Sequence, residues 1–213
     1  MRTAFRFLYG LTALLSAITA AFKPLPTAHI WTKVALMPVL YYGWGMRLPR
    51  AFKGGILFAW IGDICLLFPE EEGFFLSGMG SFALMWMAYG WGWFCLPHQV
   101  WGAAYGVLVG LALMTGGALI AILWPGLRLP FTIFVPVYAA IMIGAGLAGL
   151  RKPDTWLWLG LVSFWISDTL IAYAKFVQAI LWEGFWVMGL YTLAQGLLIS
   201  RTARLYQRPQ AVS

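Results

Sequence analysis

Between residues 7 and 200 the chain is a series of apolar runs separated by short basic or proline-rich breaks. A helix that crosses a bilayer needs about 20 mostly apolar residues, with tolerance down to about 17. Counted on that scale, eight runs emerge, near residues 7–22, 28–46, 54–69, 74–95, 100–124, 129–150, 156–175 and 183–200. Lys33 interrupts the second, and the third is short before Pro69 and the Glu70 to Glu72 triplet. Only 10% of the 213 residues are charged, where a soluble domain averages roughly a quarter. So few charges cannot coat a water-facing surface of this size, and 13 Trp and 15 Phe would have nowhere to go. The expected fold class is therefore an all-α integral membrane protein with eight transmembrane helices. Disorder is excluded by the hydrophobicity, and a disulfide scaffold by a count of two cysteines.

A net charge of +7 would suit a nucleic-acid partner, but the basic residues sit in short loops between apolar runs, which is a topology signal. With the N-terminus inside, ten of the fourteen basic residues fall on the inner side: Arg2, Arg6, Arg47, Arg50, Lys53, Arg151, Lys152, Arg201, Arg204 and Arg208. Lys23, Lys33, Arg128 and Lys175 are left outside. Both termini are expected to be cytoplasmic. Short loops and the lack of a targeting extension favour a bacterial inner membrane. The first run also has the character of a signal peptide, with Arg2 and Arg6 ahead of it and small residues near its end. Trp101, Trp124, Trp156 and Trp182 stand at run ends, where interfacial belts form.

The chain contains an internal echo. Gly55 to Phe68, GILFAWIGDICLLF, aligns with Gly160 to Tyr173, GLVSFWISDTLIAY, at a constant offset of 105, with Gly, Trp, Ile and Asp identical. Leu25-Pro26 after Lys23 and Leu129-Pro130 after Arg128 repeat at an offset of 104. This predicts two pseudo-repeated four-helix halves, 1–99 and 100–213, within a single membrane domain. Four crossings per half give both the same orientation, so the pseudo-twofold axis is expected along the membrane normal.

Two acids lie inside apolar runs: Asp63 in the third and Asp168 in the seventh. An ionised residue near a helix centre costs about 2.5 to 3.5 kcal/mol on insertion scales, so such residues are functional candidates by default. The repeat places both at similar depth in the outer half, able to meet across the axis in one cavity. Neighbouring carboxyls do not both ionise easily, so one is expected to keep its proton while the other is charged, which supplies an acid and a base. A purely structural alternative pairs each Asp with a cation, Lys23 or Lys175. Lys175 lies seven residues after Asp168, two turns along the same helix face, where it could pair with the Asp or hold a phosphate. Tyr191 and Gln195, four apart in the eighth run, put a hydroxyl and an amide on one face; Tyr89 in the fourth is a weaker candidate. His29 and His98 show no ligand-like spacing to each other or to Cys65 and Cys95, so neither a metal nor another cofactor is expected.

Taken in order, Lys23-Pro-Leu-Pro-Thr27 after the first run, Gly62-Asp63, Ser167-Asp168 followed by Lys175-Phe176, and Tyr191 with Gln195 resemble the YhhN-like lysoplasmalogenase family. The likeness covers nearly the whole chain. It also implies that the first helix is retained, because the Lys23 motif follows it directly. In one departure, Trp86 stands where family members often carry a His, three residues before the Tyr89 position. The resemblance implies hydrolysis of the vinyl ether bond of a lysoplasmalogen to a fatty aldehyde and glycerophosphoethanolamine or glycerophosphocholine. It further implies Asp63 and Asp168 as catalytic residues, with Lys23, Lys175, Tyr191, Gln195 and Tyr89 binding the headgroup or supporting the pair. The implied partners are a lysophospholipid and the bilayer. A proton-coupled transporter would use the same intramembrane Asp pair and parallel repeat, and a structural membrane subunit would tolerate Asn at both positions.

Overall fold

A computed structural model describes residues 2–21, 26–97 and 102–207. These form eight α-helices: α1 (Arg2–Ala21), α2 (Pro26–Gly43), α3 (Arg50–Cys65), α4 (Glu72–Phe94), α5 (Gly102–Leu123), α6 (Phe131–Leu150), α7 (Thr155–Phe176) and α8 (Glu183–Gln207). Each coincides with one apolar run. The largest differences are at α8, which continues past 200 to Gln207, at α1, which starts at Arg2 rather than 7, and at α3, which starts at Arg50 rather than 54. A hydropathy count stops at a charge, but a helix need not. Arg50 and Lys53 in the first turn of α3, and Arg201 and Arg204 late in α8, belong to helical segments whose long side chains can reach past the apolar layer.

Among the described residues, four helices are long and apolar enough to cross a membrane, over Thr3–Ala21, Tyr105–Gly126, Phe131–Leu150 and Thr155–Phe176. They make this an all-helical integral membrane protein. Polar residues dilute the others: α2 contains Lys33, and α3 has only 16 residues, among them Arg50, Lys53 and Asp63. Val107, Leu113 and Met114 on α5 are 57–72% exposed, as expected of a helix face that meets lipid rather than protein.

Helix α3 packs along α4, α7 along α8, and α1 along α2, while α4 against α6 and α1 against α8 join these pairs. The core between them is aromatic: Phe52, Trp86, Tyr89, Trp93 and Phe164 are fully buried. A second cluster, Phe75, Leu123, Leu127, Phe131 and Val135, packs where α4, α5 and α6 come together. Helices α4 and α6 touch backbone to backbone. A Cβ on Gly90 would lie 2.8 Å from Ala145 Cβ and 2.9 Å from its Cα. Backbone cannot yield as a flexible side chain does, so Gly90→Ala is expected to destabilise the bundle by about 1–3 kcal/mol. Gly80→Ala on the same helix has open space around it. Thermal unfolding in detergent should show a lowered midpoint for the first variant and little change for the second.

One end of the bundle is tied by charge. Asp154 caps α7, accepting from Leu157 N at 3.0 Å. Arg201 of α8 donates from Nε to both carboxylate oxygens at 3.0 Å and from Nη2 to Oδ2 at 2.7 Å. Burial opposes the Asp154 charge, but the Arg201 hydrogen bonds and the Leu157 N–H outweigh it and hold the carboxyl below its ordinary range. Beside this pair, Lys152 Nζ donates to Leu96 O at 2.7 Å and Trp93 Nε1 to Thr202 Oγ1 at 2.9 Å, tying α4 to α7 and α8. The folded carboxyl is the stronger acid, so the stabilisation is complete above the ordinary aspartate range and is lost as pH falls through the lowered folded value. Asp154→Asn should lower the unfolding midpoint at pH 7, and the difference from wild type should shrink below about pH 4.

Candidate active site

At the opposite end, α3 and α7 finish close together, and Lys175 Nζ near the end of α7 donates to Pro69 O just beyond α3 at 3.0 Å. Between them lies a cavity of about 90 Å³. Its walls are mainly apolar, built from side chains such as Phe75, Phe82, Val135 and Met188, and six polar side chains among the described residues face it: Lys33, Asp63, Tyr138, Ser167, Asp168 and Tyr191. A buried water needs roughly 10–15 Å³ of such space, so the cavity takes several waters or a short segment of a chain.

Asp63 sits in the last turn of α3 and is 2% exposed. Gly62 brings this turn against α4, since a Cβ there would lie 2.8 Å from Phe82 Cε2. Tyr191 of α8 donates to Asp63 Oδ2 at 2.8 Å. Lys33 of α2, 6% exposed, donates from Nζ to Leu66 O at 3.2 Å. That carbonyl lies at the C-terminus of α3, where helix carbonyls lack intrahelical partners and the macrodipole favours a cation. Lys33 and Asp63 interact through space without a direct ion pair. On the opposite wall Asp168, half-buried on α7, accepts a short hydrogen bond at Oδ2 from the Tyr138 hydroxyl of α6. Next to it, Ser167 Oγ donates to Val187 O at 3.1 Å and fixes α7 on α8. The two Asp face one cavity, yet no hydrogen bond joins them; each has its own tyrosine.

The other sequence candidates lie elsewhere. Tyr89 donates to Gln195 Oε1 at 3.1 Å, Gln195 Nε2 approaches Met85 Sδ at 3.2 Å, and both Tyr89 and Gln195 are fully buried outside the cavity wall. They tie α4 to α8. Lys175 is exposed and pairs with neither Asp. Besides Pro69 O it holds the ring of Phe75, 4.2 Å from the centroid, and Phe75 lines the cavity, so Lys175 stands at the rim. Lys23 and His98 lie outside the described residues. No three His, Cys, Asp or Glu gather in a metal-binding arrangement among the described residues.

Sequence reasoning missed Lys33 and Tyr138. Lys33 carries a signal, because a lysine inside an apolar run is as costly as an aspartate there, but from the sequence it reads only as a topology mark. Tyr138 is one of nine tyrosines and had none beyond its spacing. That spacing matters: Lys33 and Tyr138, Asp63 and Asp168, Leu66 and Ile171, and Phe82 and Val187 all stand 105 residues apart, and all eight line the cavity.

The arrangement defines a helical membrane protein with two carboxyls on separate helices facing one small, largely apolar chamber. This chain belongs to the YhhN family, whose profile matches residues 6–202. It is 31% identical over 204 residues to the bovine lysoplasmalogenase TMEM86A (Bos taurus), covering 86% of this chain and 77% of that protein. Over the same coverage it is 30% identical to human TMEM86A (Homo sapiens), also named a lysoplasmalogenase. It is 31% identical over 156 residues to pig lysoplasmalogenase TMEM86B (Sus scrofa), 73% of this chain and 63% of that one. No solved structure matches the chain.

Tyr191→Phe would leave Asp63 Oδ2 without its donor, and Tyr89→Phe would do the same to Gln195 Oε1. Each is expected to cost about 1–3 kcal/mol of stability, the usual penalty for stranding a buried polar atom. Unfolding midpoints measured beside ligand binding or turnover should separate them: both variants fall in stability, and only Tyr191→Phe changes the behaviour of the cavity.

Proposed function

We propose that this protein is a lysoplasmalogenase that hydrolyses the vinyl ether of a lysoplasmalogen, with Asp63 and Asp168 as its acid and base. The observation that carries this reading is the placement of the two carboxyls on one apolar-walled cavity. Kinship with proteins named lysoplasmalogenases supplies the substrate class.

The chemistry needs little more than two carboxyls. A protonated carboxyl delivers its proton to the vinyl β-carbon, the C=C electron pair forms the new C–H bond, and the positive charge is shared between the α-carbon and the ether oxygen. Water adds to that α-carbon and gives a proton to the second, ionised carboxyl. The resulting hemiacetal collapses: its hydroxyl proton returns to the first carboxyl, the C–O bond breaks, and the glyceryl oxygen takes the proton held by the second. Water is consumed, aldehyde and alcohol leave, and both acids are reset. The scheme parallels glycoside hydrolysis, where one carboxyl protonates and a second stabilises or deprotonates. The apolar walls suit the alkenyl chain and leave room for few waters besides the attacking one. Lys175 at the rim is placed to meet a headgroup phosphate.

In this reading all eight helices cross the membrane, both termini are cytoplasmic, and the cavity opens toward the outer side. The constant 105-residue spacing of four pairs of wall residues supports two pseudo-repeated halves. Purified protein in detergent should release fatty aldehyde from a lysoplasmalogen. Asp63→Asn and Asp168→Asn should each lower turnover by at least about 10²-fold, the lower range for loss of a general acid or base, with the unfolding midpoint retained. Turnover persisting in both variants would remove the acid and base from these residues.

A further inference from the structure

The two carboxyls occupy equivalent places but not equivalent surroundings. Three positions repeat at an offset of 105 around them: Lys33 and Tyr138, Asp63 and Asp168, Trp86 and Tyr191. Asp63 faces Lys33 from its own half and is bonded by Tyr191 from the other. Asp168 is bonded by Tyr138 from its own half, and the Trp86 indole from the other stands close to that tyrosine's hydroxyl. Each Asp therefore has one tyrosine donor. Lys33 is the one cationic side chain among the described residues of the cavity wall, and it stands on the Asp63 side.

We propose that Lys33 is the positioning residue that sets the two carboxyls apart, holding Asp63 as the carboxylate and leaving Asp168, gripped by Tyr138, as the proton donor to the vinyl ether. The roles rest on the activity proposed above, whereas the protonation pattern does not. A single buried ammonium can offset a single buried carboxylate. A second uncompensated charge in the same apolar chamber is disfavoured, so the chamber is neutral with Lys33 charged, Asp63 ionised and Asp168 protonated. The hydrogen bonds fit this pattern. Tyr138 donates to Asp168 Oδ2, which acts as the carbonyl oxygen of the acid and leaves Oδ1–H to face substrate. During turnover that Oδ1 proton goes to the β-carbon, and Asp63 takes the proton of the adding water. Lys33 itself touches no reacting atom. Its Leu66 O contact fixes the ammonium at the end of α3, on the helix that carries Asp63.

Infrared difference spectroscopy of the folded protein in detergent at neutral pH reads the pattern without any substrate. Wild type is expected to show one protonated-carboxyl C=O band that disappears in Asp168→Asn. Lys33→Gln keeps a donor for Leu66 O but removes the charge. It should add a second band that disappears in Lys33→Gln/Asp63→Asn, and Lys33→Arg should restore the single band. A band belonging to Asp63 in wild type, or no second band in Lys33→Gln, would overturn the assignment.

If aldehyde release is present, the acid limb of the rate profile reports Asp63. It should move up by about one pH unit or more in Lys33→Gln and return in Lys33→Arg. An unmoved limb also counts against the proposal, since a merely structural Lys33 would change stability and not the limb. The other titratable groups around Lys33 and Asp63 are His29 on α2, Tyr9 on α1, Tyr89 on α4, Tyr138 on α6, Asp168 on α7 and Tyr191 on α8. Of these, His29 is the one whose ordinary range overlaps the acid limb, and His29→Gln should leave the Lys33-dependent shift in place. Absence of aldehyde release alongside the expected bands would reject the activity and keep the Lys33 assignment.

Discussion

Two carboxyls inside an apolar helical bundle demand compensation, and much of the local structure follows from that demand. An acid at membrane depth has no bulk water to solvate it, so the protein must bring donors to it on rigid elements. Here the donors are tyrosines on helices from elsewhere in the chain: α8 supplies Tyr191 to Asp63 on α3, and α6 supplies Tyr138 to Asp168 on α7. Lys33 adds a charge and at the same time satisfies a carbonyl at the end of α3. The compensation is spread over α2, α3, α6, α7 and α8, which ties the bundle together around the cavity it surrounds.

The far end of the molecule makes that geometry rigid. The Asp154–Arg201 clamp, the Lys152 contact with Leu96 O and the Trp93–Thr202 bond all lock α7, α8 and α4 at one end. The fully buried aromatic core fills the middle, and the Gly90–Ala145 approach holds α6 on α4. The same helix α6 carries Tyr138 to Asp168. Among the described residues, every polar side chain facing the cavity stands on a helix. Such placement fixes direction to within the play of one side chain, which acid and base catalysis requires.

The sequence makes the helices legible because transfer of apolar residues is an additive, local quantity: each run can be counted without knowing its neighbours. The same logic exposes Asp63 and Asp168, since an acid in an apolar run is costly wherever the run packs. Tyr191 and Gln195 show the limit of this reasoning. Their spacing puts both on one face of α8, yet Tyr191 reaches the cavity while Gln195 bonds Tyr89 one turn away. Periodicity gives the face of a helix, but the neighbour opposite each turn is set by packing between helices far apart in the chain. Lys175 illustrates the same point, for its place on the Asp168 face did not bring it to Asp168, and its ammonium turns outward to Pro69 and Phe75. Lys33 was visible as a charge but not as a partner, because only the tertiary arrangement brings α2 beside the end of α3.

In the proposed reading, a site built from two matching halves faces a chemical difficulty that its residues resolve. Twofold equivalence would give both carboxyls the same proton affinity, whereas an acid and a base need different ones. Lys33 opposite Tyr138, and Trp86 opposite Tyr191, break that equivalence while leaving the helix positions matched. Replacing one side chain among equivalent wall positions is the smallest change that can do so, because it alters charge without altering backbone. In the proposed activity the equivalence of the backbone brings two carboxyls to one chamber, and the inequality of Lys33 and Tyr138 gives them separate work.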